Sequence, residues 1–445
     1  MARIEPRILK GFRDYLPEVM VPRVRLLRAI TAVFERFGFE PLDTPCIEYA
    51  EILLGKLGPE AEKLFYRFRD NGDRDVALRY ELTISLARVV AQYRDLPRPF
   101  KRYQLGPVWR AESPARGRFR EFWQCDVDIV GTPSLHADAE CIAIDHAVMT
   151  AVGAPDYRIR FNNRKLFRGL QARAGITDAR QMEAVMRAVD KFDKIGADAV
   201  RKELADGGLG QAPLATVMDF LALAAAPMSN TDRIAAAREF AGGDQVGARG
   251  CDELRQVHET ALALGVPDSV MRVDTTIVRG LDYYTGTVFE TFLGDLPGFG
   301  SVMSGGRYDG LIGLFTDEDI PAVGISVGID RLIAALEELN RLPPGRASAG
   351  VLVTVFDQAG AAYAARVATL LRGAGINAEL WLEPGAKLQK QLKYAERKGI
   401  QRVIVAGPAE AEAGTVNLKT LATREQVTVR LDDLARVLAG QAPTT

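Results

Sequence analysis

Two runs of strand-forming residues, 103–109 and 121–130, flank the arginine-rich stretch 110–120, and no other feature of the 445-residue chain constrains its fold more. The runs are rich in Val, Ile, Tyr, Phe and Trp, which suit a pleated, half-buried surface. The stretch between them is too polar to be buried. The two runs are therefore expected to pair antiparallel, with the loop projecting from their end. Neighbouring segments agree with such a sheet. Residues 64–68 and 76–78 flank Asp70-Asn71-Gly72-Asp73, and Asn-Gly between apolar runs signals a hairpin. The fold class is thus α+β, with an antiparallel sheet flanked by helices, rather than a doubly wound parallel sheet.

Helical spacing appears first over residues 18–37, where Val19, Leu26, Leu27, Ile30, Val33, Phe34 and Phe37 recur on one face and Gly38 offers a stop. Residues 39–45 read as extended, and their two prolines place them at a sheet edge or an interface. A helix is expected over 82–93. Residues 165–265 change character: they are alanine-rich, helically spaced and broken at Gly175, Gly207-Gly208 and Gly242-Gly243, as a helical insertion would be. Strand-like sequence returns at 270–278, 287–292 and 301–305. Leu342-Pro343-Pro344-Gly345-Arg346-Ala347-Ser348 is a stiff polar linker. Beyond it, strand and helix alternate: 351–355, 361–373, 376–382, 388–398, 403–406. The expected division is a core in two parts, 1–164 and 266–342, interrupted by a helical insertion at 165–265 and followed by an α/β domain at 349–445.

Composition excludes several classes. No apolar run approaches the ~18–20 residues of a membrane span, and the N-terminal sequence lacks a secretory pattern, so a soluble, cytoplasmic protein is expected. Cys46, Cys125, Cys141 and Cys251 form no C-x-x-C pair, and His136, His146 and His258 stand apart, so metal-ligand spacing is absent. Lys and Arg number 57 against 58 acids; any contact with RNA must come from local patches. There is no P-loop. Gly373-Ala374-Gly375-Ile376-Asn377-Ala378 has the letters of a dinucleotide fingerprint but runs from helix to strand, the reverse of the required setting, and is read as a turn.

Three segments carry chemistry. The loop 110–120 holds four arginines in eleven positions. Guanidinium groups grip phosphate oxygens bidentately, and Phe122 adds an aromatic face; taken alone, a solvated basic loop explains it equally well. Residues 278–290 set Arg279, Asp282, Tyr283 and Tyr284 between glycines, a poor fit to a strand core and a better one to a loop facing a pocket. Residues 321–332 run from a small-residue strand into a helix with Arg331 near the junction, which close packing alone could also explain.

In this order the three segments resemble the second motif, the histidine-specific motif and the third motif of the histidyl-tRNA synthetases, a family of class II aminoacyl-tRNA synthetases. The resemblance extends to the helix and Pro45 region, the family's dimer-forming first motif. It also takes in Leu78-Arg79-Tyr80-Glu81-Leu82-Thr83, Ser304-Gly305-Gly306-Arg307-Tyr308-Asp309-Gly310 and Lys390-Gln391-Leu392-Lys393-Tyr394-Ala395. It implies a class II catalytic core and a C-terminal anticodon-binding domain, with histidine activated by ATP to histidyl-adenylate and then transferred to the 3′ end of histidine tRNA.

By position in the motifs, Arg110 would neutralise the α-phosphate, Arg118 hold the triphosphate tail, Phe122 stack on adenine and Arg331 meet the far end of the triphosphate or the adenine face. Arg279 would sit between the amino-acid carboxylate and the α-phosphate, with magnesium accompanying ATP. Glu81, Thr83 and Gln124 would surround the α-ammonium group. Asp128 and Tyr284 would bracket the imidazole, with Tyr283 and Tyr308 lining the pocket. Asp128 departs from the glutamate of many bacterial members, and residues 113–118, expected near the tRNA acceptor end, depart from their common pattern. In the tail, Lys387, Lys390, Lys393, Arg397, Lys398 and Arg402 crowd one helix and its exit; they suit RNA phosphates, or simply a solvated helix face. The resemblance implies a homodimer. Two rival readings share the fold: a non-catalytic paralogue regulating histidine biosynthesis, expected to lack the tail domain and the 279–290 motif, and an RNA-binding module expected to have lost Arg110, Arg279 or Arg331.

Overall fold

The computed structural model describes residues 4–54, 63–114, 119–278, 283–342 and 346–440. The chain divides into two compact units, one of residues 1–13 and 28–341, the other of residues 14–27 and 342–445.

The first unit is organised by strands β1 (Glu40–Pro41), β5 (Phe100–Trp109), β6 (Glu121–Val130), β7 (Tyr157–Asn163), β8 (Met271–Val273), β9 (Thr287–Leu293), β10 (Met303–Arg307) and β11 (Ala322–Gly328). They form one eight-stranded sheet in the order β1-β5-β6-β11-β10-β9-β7-β8. The arginine-loop hairpin pairs over its whole length, from Phe100 opposite Val130 to Trp109 opposite Glu121. Only the outermost pairs, β1 with β5 and β7 with β8, are parallel. Pro41 lies in the edge strand, where a missing amide hydrogen disturbs no second neighbour.

Three short strands, β2 (Ile47–Tyr49), β3 (Arg67–Arg69) and β4 (Asp75–Leu78), form a separate sheet. The turn joining β3 to β4 is the one marked by Asn71-Gly72. Its left-handed residue is Asp73 (φ 57°), one position beyond the glycine, and Asp70 Oδ1 accepts from the Gly72 and Arg74 amides at 2.9 Å each.

Helix Pro17–Arg36 ends where Gly38 takes φ 76°. Between β7 and β8 come six helices: Leu166–Ala174, Ala179–Asp190, Phe192–Asp206, Gln211–Ala225, Asn230–Ala241 and Gln245–Ala263. They occupy the alanine-rich segment. Parallel neighbours cannot be joined by a tight turn, and the helices supply the long crossover. The strand expected over 270–278 is confined to Met271–Val273. Asp274 ends it, its carboxylate accepting from the Thr276 amide and hydroxyl.

In the second unit, β12 (Val351–Val353), β13 (Ala378–Leu380), β14 (Arg402–Val405), β15 (Thr415–Thr420) and β16 (Gln426–Arg430) form a sheet in the order β13-β12-β14-β15-β16. The first three strands are parallel. Helix Ala361–Gly373 buries Val367 and Leu371 against Val353, Ile404 and Val416. Gly375 has φ 76° in the turn before β13. The dinucleotide-like letters are thus a helix-to-strand turn.

Candidate active site

Side chains two positions apart on a strand share a face. Gln124, Asp126 and Asp128 of β6 therefore project together. Gly106, Gln104 and Arg102 face them on β5, and Gly328, Ser326 and Gly324 on β11. The glycines open space over this face. A Cβ on Gly324 would lie 1.9 Å from Asp128 Oδ1, and one on Gly306 would lie 2.8 Å from the Tyr284 ring. Any larger residue there would close the floor of the site.

Above that floor lies a cleft of about 280 Å³. Of the residues singled out by the motifs, it is lined by Glu81, Thr83, Arg110, Phe122, Gln124, Asp128, Tyr283, Tyr284, Tyr308 and Arg331. Arg118 and Arg279 lie outside the described residues. The lining also includes Asp126, Ser301, Ser304 and Ser326, to which the motifs assigned no role. For Asp126 a signal was present: it alternates with Gln124 and Asp128 in a strand, so the three must face the same way.

Asp128 and Arg102 are ion-paired at 2.8 Å and both buried, and the Tyr308 hydroxyl donates to the other Asp128 oxygen. Burial raises the Asp128 carboxyl above the usual range, while Arg102 and the Tyr308 hydroxyl pull it down. Tyr308 sits in an aromatic wall: the Tyr283 ring lies 4.8 Å from Tyr284 and 5.8 Å from Tyr308.

Glu81 precedes helix Thr83–Gln92 and accepts from the Thr83 and Ile84 amides, both at 2.6 Å. The unpaired amides of a helix N-terminus attract an anion, which fixes this carboxylate at the cleft wall. Burial still raises its affinity for a proton.

At the other end, the Arg110 guanidinium lies 4.2 Å from the Tyr80 ring centroid and 5.0 Å from that of Phe122, and its Nε donates to the Tyr80 carbonyl. Arg331, in helix Ile329–Glu338, donates from Nη1 to the Ser301 carbonyl at 2.8 Å. Arg110, Phe122 and Arg331 also line an adjoining cavity of about 220 Å³, together with Phe119. The cleft thus has a cationic, aromatic end and an end with buried carboxylates. Among the described residues no three His, Cys, Asp or Glu side chains are grouped to hold a metal ion.

The six basic residues of the tail are not equivalent. Lys390 pairs with Glu383 at 2.7 Å, Lys398 with Glu379 at 2.6 Å, and Arg402 donates to the Leu438 carbonyl. Lys387, Lys393 and Arg397 are exposed.

A largely antiparallel sheet that carries a guanidinium-lined cleft on one face, fed by a strand–loop–strand unit and a strand running into a helix, is the catalytic core of a class II aminoacyl-tRNA synthetase. Residues 11–332 match the family model for histidyl-tRNA synthetase, and residues 350–441 match that of an anticodon binding domain. The chain is 45% identical over 423 residues to a histidine–tRNA ligase of Rhodopirellula baltica, covering 95% of each. It is 41% identical over 442 residues to one of Wolinella succinogenes, covering 99% of each. Its fold matches the crystal structure of histidyl-tRNA synthetase from Nostoc sp. PCC 7120 with a TM-score of 0.88 at 33% identity, over 98% of this chain and 100% of that one. The chain belongs to the histidyl-tRNA synthetase family, the ligases that attach histidine to tRNA. A regulatory paralogue, expected to lack the tail domain, is not the better-supported reading: the tail matches an anticodon binding domain.

Proposed function

We propose that one cleft performs both steps of tRNA histidylation, with the following division of labour. ATP lies at the cationic end, with Phe122 stacked on adenine, Arg110 against the α-phosphate and Arg331 toward the far end of the triphosphate or the adenine face. Arg118 holds the triphosphate tail, and Arg279 stands between the histidine carboxylate and the α-phosphate. Histidine lies at the other end. Glu81, Thr83 and Gln124 take its ammonium group, Asp128 and Tyr284 its imidazole, and Tyr283 and Tyr308 close the pocket around the ring.

The reaction brings a carboxylate onto a phosphate, anion upon anion. Fixed positive charge and alignment lower that barrier more than a covalent nucleophile would. A pocket that hydrogen-bonds both sides of an imidazole rejects side chains lacking those groups by ~10⁴ or more, so activation can be selective without an editing domain. Magnesium, where bound, is assigned to the ATP phosphates and supplies charge neutralisation there.

The core is assigned to residues 1–164 and 266–342, the insertion to 165–265 and the anticodon-binding domain to 349–445. Partners are histidine tRNA and a second copy of the chain; no helix of the described residues is long and apolar enough to cross a membrane, which fits a cytoplasmic enzyme. The observation that carries the reading is the convergence of Arg110, Phe122 and Arg331 with the Asp128–Tyr308 pair in a single cleft. The test is exchange of pyrophosphate into ATP with each of the twenty amino acids in turn. Exchange with histidine alone is expected; exchange with another amino acid, or with none, would overturn the assignment.

A further inference from the structure

Asp126 has no part in the division of labour above, yet it is only 3% exposed and lines the cleft. In the sheet it stands directly opposite Gln104 on β5 and Ser326 on β11. Gln104 Nε2 donates to Asp43 Oδ1 and Thr44 Oγ1, both at 3.0 Å. The Asp43 carboxylate only accepts, so the orientation of that amide is settled. Its Oε1 is then left buried without a hydrogen-bond partner, and so is Asp126 Oδ1. Ser326 Oγ accepts from Gln124 Nε2 at 3.0 Å and turns its own hydrogen toward the Asp126 carboxyl.

The charges facing Asp126 are Arg102 on β5, Asp128 on β6 itself and Glu81 from the segment before helix Thr83–Gln92. Arg110 and Arg331 line the same cleft. Arg102 is already committed to Asp128 at 2.8 Å. Glu81 is held by two helix amides. Asp126 is therefore a second carboxyl beside a single guanidinium, whose Nε and Nη1 make no hydrogen bond to it, and its own Oδ1 meets no donor. Burying such a charge is costly, and the group takes up a proton instead. Burial raises the Asp126 carboxyl to about 7.

We infer that Asp126 binds the α-ammonium group of the amino-acid substrate, standing neutral in the empty cleft and charged once the ammonium is seated, so that substrate entry expels a proton to solvent. The inference rests on the reading of this cleft as an amino-acid site. The balance is simple: the carboxylic O–H bond breaks, the proton passes to the buffer, and the carboxylate accepts an N–H from the ammonium. No bond to the substrate is made or broken. A cation entering beside two carboxylates and one guanidinium gives the floor the positive charge it lacks.

Calorimetric titration of the full-length protein with L-histidine, in buffers of differing ionisation enthalpy, counts the protons released. Near pH 7 roughly half a proton should leave per histidine bound, falling toward zero by about pH 9, because a group half-protonated before binding and ionised after it gives up that fraction. Free imidazole, with an ordinary value near 6.5, contributes equally to wild type and variants, so the difference between them isolates Asp126. Asp126→Asn is expected to lose that half proton of release and to weaken histidine binding about tenfold or more. Ser326→Ala, which removes a bond that favours the charged form, should move the midpoint of proton release to higher pH, and it serves should the asparagine variant misfold. Equal release by wild type and Asp126→Asn, or an unmoved midpoint in Ser326→Ala, overturns the inference. Histidine-dependent pyrophosphate exchange by the wild type keeps the two questions apart. Exchange without Asp126-dependent release defeats this inference alone, whereas absent exchange defeats the reading on which it rests.

Discussion

Arg102 Nη2 stands 2.8 Å from Asp128 Oδ2, a closed ion pair between neighbouring strands whose side chains are 0% and 4% exposed. The pair lies in the floor of the cleft, and the Tyr308 hydroxyl donates to the carboxylate's other oxygen. Removing one member of a buried pair strands the other, at a cost of ~3–5 kcal/mol. Asp128→Ala is expected to lower the free energy of unfolding by about that much in a denaturant titration, and to eliminate histidine-dependent pyrophosphate exchange. Stability equal to wild type would show that the pairing carries no weight.

Arg279→Ala is expected to reduce adenylate formation by several orders of magnitude with the fold intact. A guanidinium between two reacting anions acts mainly in the transition state, so the loss should fall on kcat rather than on KM. Rapid-quench measurement of adenylate, with circular dichroism as the folding control, decides the matter; near-normal adenylate would contradict the role.

Asp145, in helix Leu135–Ala151, is wholly buried. Its Oδ2 accepts from the Thr291 hydroxyl and its Oδ1 has no hydrogen-bond partner. Burial raises this carboxyl from 3.8 to about 7. The folded state therefore holds a proton that the unfolded state has already released between about pH 4 and pH 7, and stability falls as pH rises through that window. Asp145→Asn keeps the shape and removes the titration. Its stability relative to wild type should increase from pH 4 to pH 7 and level off above, as read by urea midpoints. A difference that does not change with pH would refute this.

In the tail, Lys393 and Arg397 are exposed, whereas Lys390 and Lys398 are engaged with glutamates. Replacing Lys393 and Arg397 together by alanine is expected to raise the KM for histidine tRNA several-fold and to flatten its salt dependence, since each lost phosphate contact lowers the slope by about 0.7–0.9. Pyrophosphate exchange should not change. An unaltered KM for tRNA would remove this helix face from the RNA interface.

Much of the site was legible before the fold. Arg110, Phe122 and Arg331 were singled out by their positions in motifs that resemble the family's, and the structure brings all three to one cleft. Asp126 escaped the motifs although the alternation of Gln124, Asp126 and Asp128 places it on their face. The capping of helix Thr83–Gln92 by Glu81 could not be read, since the same carboxylate suits a ligand and a helix end equally.

Local order was set by the chain itself: the arginine-loop hairpin, the stop at Gly38, the alanine-rich helices and the strand–helix alternation of the tail all follow from spacing and turn chemistry within a few residues. Partnership was decided only in three dimensions. Strand β11 lies between β6 and β10, β7 lies beside β8 across about a hundred residues of helices, and residues 14–27 group with the tail unit rather than with the segment that follows them. A period of two tells a strand which side is buried but not which strand lies beside it. That choice falls to the packing of whole surfaces, and it is what sets Arg102 against Asp128.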